Sequence, residues 1–453
     1  MQFPVSQFSV LKSPFLLTGL LGLQCSCMLL SVLLISSLSR RSLLPHPCTT
    51  ISKFFLKYHS HSAMVFFLDL MTPWVYNYSI IIRRYIMSIL KTTPAVFAVG
   101  NTYQIMVPVT SSCLMWVKIG EELYYDDCNG IIKSDVTTHR ITVPMEELDH
   151  AGEYTVCFRK MIERKPYYSD TGDVEEIKFS FRPVPDNNIT AYHIADAHNS
   201  VENPVGAAKF FEAEAGRIDL LILNGDVPND SGAIENFDNI YKIIEGITKG
   251  EIPTVFSRGN HDTRGIFAEK LADHTPVDNG NSYFTFRVGG LWGMVLDCGE
   301  DKVDTHPEYG NTVCCHEFRK KQTKFIEKVI RNAAYEYDSY GITHKAVISH
   351  VPFYRTFPEP FNIEKDIYTK WCSLVGEHIK PEIMIHGHEH CLTLDMPGDE
   401  CDVMGLPCPG VIASIPDNSD QAFIGGGFIF SENSVDIVFN DRYKIHERHK
   451  IEL

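Results

Sequence analysis

The chain has 453 residues, 44% apolar and 22% charged, which excludes a wholly disordered, collagenous or disulfide-stapled miniature protein and leaves room for two or three domains with ordinary cores. Its net charge of −16 speaks against a general nucleic-acid coat. The charge is unevenly spread: residues 1–86 hold seven Lys or Arg (Lys12, Arg40, Arg41, Lys53, Lys57, Arg83, Arg84) against Asp69 alone, a net +6, which leaves −22 for the remaining 367 residues.

The basic leader contains a 27-residue uncharged run, Ser13–Ser39, rich in Leu and closed by Arg40 and Arg41. It is long enough to span a bilayer, and a secretory signal has a shorter apolar core with a small-residue cleavage site soon after it, so an anchor fits the length better. A second apolar stretch, residues 63–82, is interrupted by Asp69, Pro73 and Asn77, which weakens it as a span. An equal alternative is that the protein starts at Met87, where the acids return, and that residues 1–86 are a translated upstream stretch. The expected location is therefore cytoplasmic, with membrane anchoring only through residues 13–39 if 1–86 are made. Thirteen cysteines, ten of them after Met87, show no repeated CxxC pairs and no zinc-finger spacing. Their irregular placement predicts reduced, mostly buried thiols in a reducing compartment.

From about Ala95 to Arg182, short runs rich in Val, Ile, Tyr and Phe are bounded by turn clusters: Tyr103–Val109, Leu114–Ile119, Arg140–Val143, Glu153–Arg159 and Glu176–Phe181. Strands at this spacing, with almost no helical pattern, predict a small antiparallel β-sandwich of the fibronectin III kind over residues 92–183. A Pro-rich joint, residues 182–188, then separates it from an α/β domain over 188–453. There Ile218–Leu223, Ile252–Phe256, Lys345–Ile348 and Glu382–Ile385 read as buried strands of a largely interior sheet, and residues 233–247 and 318–335 carry helical periodicity.

Five apolar strands end in clusters of carboxylate, amide or imidazole. They are Asp196-Ala-His198, Asn224-Gly225-Asp226-Val-Pro-Asn229, Gly259-Asn260-His261-Asp262, Ser349-His350 and His386-Gly387-His388-Glu389-His390. Ligands of open α/β sheets bind beyond the carboxyl ends of strands, so these clusters can converge although they span almost two hundred residues. Taken alone, most have bland readings. Asp-x-His is a common loop triplet, although period two on a strand would set both side chains on one side; Gly225-Asp226 suits a turn and helix cap. A His between Asn and Asp at a strand end has no structural job that demands it, and His388-x-His390 repeats the same-side spacing of a chelate.

As an ordered set, Asp-x-His, Gly-Asp-x-x-Asn, Gly-Asn-His-Asp, Ser-His and Gly-His-x-His resembles the calcineurin-like metallophosphoesterase family over roughly residues 189–453. The resemblance implies a β-sheet core flanked by helices and a binuclear metal centre. Asp196, His198 and His390 would hold the first ion, Asn260, His350 and His388 the second, and Asp226 would bridge them. His261 would face the substrate, with Asp262 fixing its orientation. Oxygen and imidazole ligands without thiolate suit two divalent ions, Mn²⁺, Fe or Zn²⁺. Two such ions lower the pKa of a bridging water, so the implied reaction is attack of a metal-bridging hydroxide on a phosphate ester, with His261 assisting the departing alkoxide.

Purple acid phosphatases also place a sandwich before a domain of this kind, but their signature has Gly where this chain has His198 and a metal-binding Tyr where it has Asn229. The likeness to them is architectural. Cys391 and Glu389 are expected to point away from the centre, His386 to lie behind it, His193 to be a core residue, and Arg258 and Arg264 to meet phosphate or solvent. Phe353-Tyr354 floors a pocket or packs. The expected partner is a small phosphorylated substrate, its selectivity set by residues 267–283, 301–315 and 353–368; the acidic body disfavours nucleic acid. The rival reading is a catalytically inactive metal-binding protein whose sandwich is a binding module. Composition leaves oligomeric state open.

Overall fold

The computed structural model describes residues 89–453; the run 13–39, the stretch 63–82 and the alternative start at Met87 lie outside the described residues. The first strands are β1 (Ala95–Val99), β2 (Thr102–Pro108), β3 (Cys113–Ile119), β4 (Glu122–Tyr125), β5 (Asp127–Cys128), β6 (Ile131–Ile132), β7 (Thr138–Pro144), β8 (Glu153–Lys165), β9 (Tyr168–Thr171) and β10 (Glu175–Ser180). Alternation explains their layering. β3 buries every second side chain, so one face packs inward and the other meets solvent. β1, β2 and β7 form one layer, and β10, β8, β3 and β4 a facing one. Tyr103, Ile105, Ile141, Met115, Val117 and Phe158 from both layers share a core. This is the two-layer arrangement expected for residues 92–183.

It is not a separate domain. Beyond it come β11 (Ile189–Ile194), β12 (Leu220–Asn224) and β13 (Thr254–Ser257), which run parallel to one another. β1 pairs with β13 in parallel, with Phe97 opposite Thr254. The first layer of the sandwich is thus the far end of a nine-stranded sheet, and all the described residues fall in one compact unit. A shared sheet thus bridges the residues 92–183 and 188–453. Parallel pairing across more than 150 residues leaves no local mark in a sequence, so the joint at 182–188 read as a linker.

The interior sheet is accompanied by a second one. β14 (Phe284–Val288), β15 (Leu291–Leu296), β16 (His344–Ser349), β17 (Ile383–His386), β18 (Leu392–Asp395) and β19 (Gly410–Ala413) form a six-stranded sheet. β20 (Gly425–Ser431), β21 (Ser434–Asn440) and β22 (Ile445–Glu452) complete the nine-stranded one as an antiparallel run beside β11. The sheets pack face to face: Ala191, Leu220 and Ile222 meet Val295, Ala346, Ile348 and Ile385. Alternate residues Tyr192, Leu221 and Leu223 pack outward with Phe211, Ile240 and Ile244 of the helices Glu202–Ala215 and Asp238–Thr248. On the other side Met294, Val347 and Met384 meet Ile326 and Trp371 of the helices Cys315–Arg331 and Lys365–Leu374. Both faces of each central strand are dry, which is why these strands read as unbroken apolar runs.

The helix expected at 318–335 spans Cys315–Arg331 and ends in a 3₁₀ turn, Ala333–Tyr335. Its buried side includes Arg319 and Gln322, a face that apolar periodicity does not reveal. None of the described helices is long and apolar enough to cross a membrane.

The shared sheet makes a prediction. Residues 188–453 produced alone lose the partner of β13 and uncover the side of Phe256 that Phe97 packs against edge-on, at a ring separation of 6.4 Å. They are expected to be insoluble or to melt without cooperativity, and Phe97→Ala in the whole chain to lose about 3–5 kcal/mol on denaturant unfolding. A truncated fragment that melts cooperatively as a monomer would contradict this.

Candidate metal centre

The five motif clusters meet at the carboxyl ends of both sheets. β11, β12 and β13 deliver Asp196, Asp226 and Asn260; β16 and β17 deliver His350 and His388. The strand-end loops hydrogen-bond to one another. The Asp196 N–H donates to the Gly225 carbonyl at 3.1 Å, the His198 N–H to the Asp226 carbonyl at 3.0 Å, and the Gly387 N–H to the His350 carbonyl at 2.9 Å. Asn224, wholly buried, donates from Nδ2 to the carbonyls of Ser349 and Ile385, each at 3.2 Å, and so ties the two sheets together beneath the site.

The two same-side pairs are not on strands. β11 stops at Ile194 and β17 at His386, and Asp196, His198, Asp226, His388 and His390 all have left-handed backbones, with φ of 53°, 42°, 52°, 72° and 52°. Left-handed turns, rather than strand pleating, swing these side chains inward, and such conformations cluster where function over-determines the backbone. Close approach explains two glycines. A Cβ at Gly259 would lie 2.2 Å from Asp226 Oδ1, and one at Gly387 2.7 Å from Asp196 Oδ2.

Three groupings of donor atoms result, each within 4.8 Å: Asp196, His198 and His390; Asp226, His350 and His388; and His198, Asp226 and His261. Asp196 Oδ2 accepts from the His388 N–H at 2.9 Å, whereas its buried Oδ1 has no hydrogen-bond partner. The Nε2 atoms of His198 and His390 face each other at 3.3 Å. His350 Nδ1 donates to the Asn224 carbonyl at 2.6 Å, which fixes the tautomer and leaves Nε2 3.1 Å from Asp226 Oδ2. Asn260 points an amide end at Asp226 Oδ2 and His350 Nε2, both 3.3 Å away, and at His388 Nδ1, 3.0 Å away. A buried carboxylate oxygen with imidazoles close by but no hydrogen bond, imidazole nitrogens turned face to face and an amide end among them fit divalent cations better than hydrogen bonding alone.

The electrostatics point the same way. Burial alone would raise the Asp226 and Asp196 carboxyls, but the adjacent His350 holds both below the usual carboxylate range. Burial alone would lower His350, and the two carboxylates push it up to about 10. His388, buried and beside that cation, is pushed down to about 4. Two buried carboxylates thus favour positive charge between them.

Residues 189–392 match the model of the calcineurin-like phosphoesterase family. This part of the chain is a calcineurin-like phosphoesterase domain. The match supports a metal-dependent phosphoester hydrolase. Among solved structures, the purple acid phosphatase from yellow lupin (Lupinus luteus) seeds aligns with a TM-score of 0.52 at 13% identity, covering 80% of this chain and 74% of the lupin chain, a likeness of fold. The anchor in the inner membrane complex of Plasmodium aligns with a TM-score of 0.38 at 13% identity, over 59% of this chain and 89% of its own. Comparison with curated proteins finds no match.

Several expectations about the phosphoesterase domain change. Asp262 does not touch His261. Residues 261–263 form a 3₁₀ turn, which turns Asp262 back beneath the strand ends, where Oδ2 accepts from the N–H groups of Gly259 at 2.7 Å and Asp226 at 3.2 Å. Burial and the charge of Asp226 push its carboxyl up to about 7. His261 is held instead by the Asn229 carbonyl, 2.7 Å from its Nδ1, with Nε2 turned to the centre 4.0 Å from Asp226 Oδ2. The Asn229 side chain bonds to Asp230. Arg258 is paired with buried Asp297, and Arg264 with Glu300 and Asp301. Phe353 and Tyr354 are fully buried and pack. His193 is buried, with Nδ1 on the Ala413 carbonyl; His386 lies against Ser349, next to His350; Cys391 is half-buried in a bend. Asn224 and Asp301 were not foreseen. Asn224 stands inside the Asn-Gly-Asp run at the last position of a buried strand, which is a signal, whereas Asp301 is marked only as the first residue of the segment 301–315.

Asp262 therefore braces the loops that carry Asp226 and Asn260. Asp262→Ala is expected to lose bound metal together with activity, measured by elemental analysis after dialysis. Full metal content with slowed turnover would contradict this role.

Proposed function

We propose that the domain hydrolyses a phosphate mono- or diester of a small substrate with two divalent cations, one held by Asp196, His198 and His390, the other by Asn260, His350 and His388, with Asp226 between them. The convergence of these seven side chains, with unpaired and acceptor-only atoms facing inward, is the observation that carries this reading. When bound, such cations supply Lewis acidity and an activated water. The chain's own residues do the rest. The Asn229 carbonyl accepts from His261 Nδ1 and so aims Nε2 into the centre, where it can face a departing alkoxide. Asp226 Oδ1 accepts from the His261 N–H at 2.9 Å, which couples that imidazole's backbone to the carboxylate at the middle of the site. His350 is held by its carbonyl partner and cannot rotate out. The alternative of an inactive metal-binding protein is weakened by the filled motif positions, since loss of catalysis usually removes a ligand.

A reducing, cytoplasmic setting belongs to this reading, supported by ten free cysteines among the described residues. Membrane attachment rests on residues 13–39 and is open to test by N-terminal peptide sequencing.

The full chain is expected to cleave p-nitrophenyl phosphate or bis-p-nitrophenyl phosphate with Mn²⁺ and to stop with chelator. His261→Ala should keep its metal while kcat falls about 10²- to 10⁴-fold, and Asp226→Asn should lose both. A fully active Asp226→Asn protein, or metal without turnover on either ester, would sink the proposal.

A further inference from the structure

Asn260 differs from the other ligand candidates because the two ends of its amide have nearly the same shape and opposite hydrogen-bonding character. With nitrogen inward, the amide would donate to Asp226 Oδ2, His350 Nε2 and His388 Nδ1, and its oxygen would accept from Arg264 Nη2 at 3.1 Å. Hydrogen bonding inside the centre therefore favours the orientation that cannot ligate a cation. Two contacts oppose it, and the first is that an inward oxygen can accept from His388 Nδ1 at 3.0 Å. With oxygen inward, Asn260 Nδ2 donates to Asp301 Oδ2 at 3.4 Å, and turning the amide over would set oxygen against that carboxylate.

Asp301 is held for this contact. Its Oδ1 accepts from the Tyr309 hydroxyl at 2.8 Å, Lys302 Nζ at 3.0 Å and Arg264 Nη2 at 3.2 Å, which leaves Oδ2 to face Asn260. The loop that carries it is pinned from below. Buried Arg319 donates to the carbonyls of Cys298, at 2.8 Å, and Glu300, while Gln322 exchanges hydrogen bonds with the Asp297 backbone at 2.6 and 2.9 Å. Here lies the reason for two polar residues on the buried face of the helix Cys315–Arg331. Resting on the two-cation reading above, we propose that Asp301 is a positioning residue that keeps the Asn260 amide oxygen-inward and so prepares the second cation's site.

The test is calorimetric titration of the full chain, stripped with chelator, using Mn²⁺ alone, with bound metal counted by elemental analysis. Asp301→Asn is expected to leave the first cation in place and to weaken the second about 10- to 100-fold, as loss of a group orienting a ligand does. In an Asn260→Asp background there is no amide to orient and Asp301 faces another carboxylate, so there Asp301→Asn should leave the second affinity unchanged or tighter. A purely structural role would weaken binding in both backgrounds. Tyr309→Phe removes one donor to Asp301, should give a smaller loss in the same direction, and serves if Asp301→Asn does not fold. An unaltered second affinity in these variants, or an equal loss in both backgrounds, overturns the proposal. A wild-type chain that binds no second cation overturns the two-cation reading instead.

Discussion

The organising constraint of this molecule is the burial of two carboxylates, Asp196 and Asp226, at the ends of neighbouring parallel strands, both almost without exposure to solvent. Taking an ion out of water costs several kcal/mol unless an opposite charge meets it. His350 lies 3.6 Å from Asp196 Oδ1 and 3.1 Å from Asp226 Oδ2 and is driven towards its charged form by them. The remaining imidazoles and the Asn260 amide complete a shell of lone pairs around the same point, so the site is electrostatically a place for cations.

Everything around it serves to hold that shell. Two sheets packed face to face end at the same level, and Asn224 bonds one to the other. Left-handed turns after β11, β12 and β17 aim the donors inward, and Gly259 and Gly387 permit an approach that any Cβ would block. Asp262 sits one layer beneath, satisfying backbone N–H groups of two loops. The N-terminal strands are part of the same framework, because β1 covers the edge of β13.

What was legible in the sequence was local. Apolar runs placed β2, β3, β10, β12, β16 and β17 to within a few residues, since strands dry on both faces or on one announce themselves by composition and alternation. The motif residues Asp196, His198, Asp226, Asn260, His261, His350, His388 and His390 were legible because each stands just past such a run. What depends on contacts far apart in the chain was hidden. The β1 to β13 pairing, the division into two sheets and the bond from Asn229 to His261 join segments with no shared local pattern. The sense of the backbone at Asp196 or His390 was hidden too, because neither residue type demands a left-handed turn. Asp262 was assigned to His261 by the resemblance alone, and in this chain a 3₁₀ turn separates the two side chains.

The central claim, that one carboxylate stands between two cations, is tested most directly by electron paramagnetic resonance of the full chain loaded with Mn²⁺. The account predicts that at two Mn²⁺ per chain the spectrum is that of a spin-coupled pair, with Asp226 of the β12 loop as a shared ligand. A spectrum of isolated Mn²⁺ ions at every loading would contradict it.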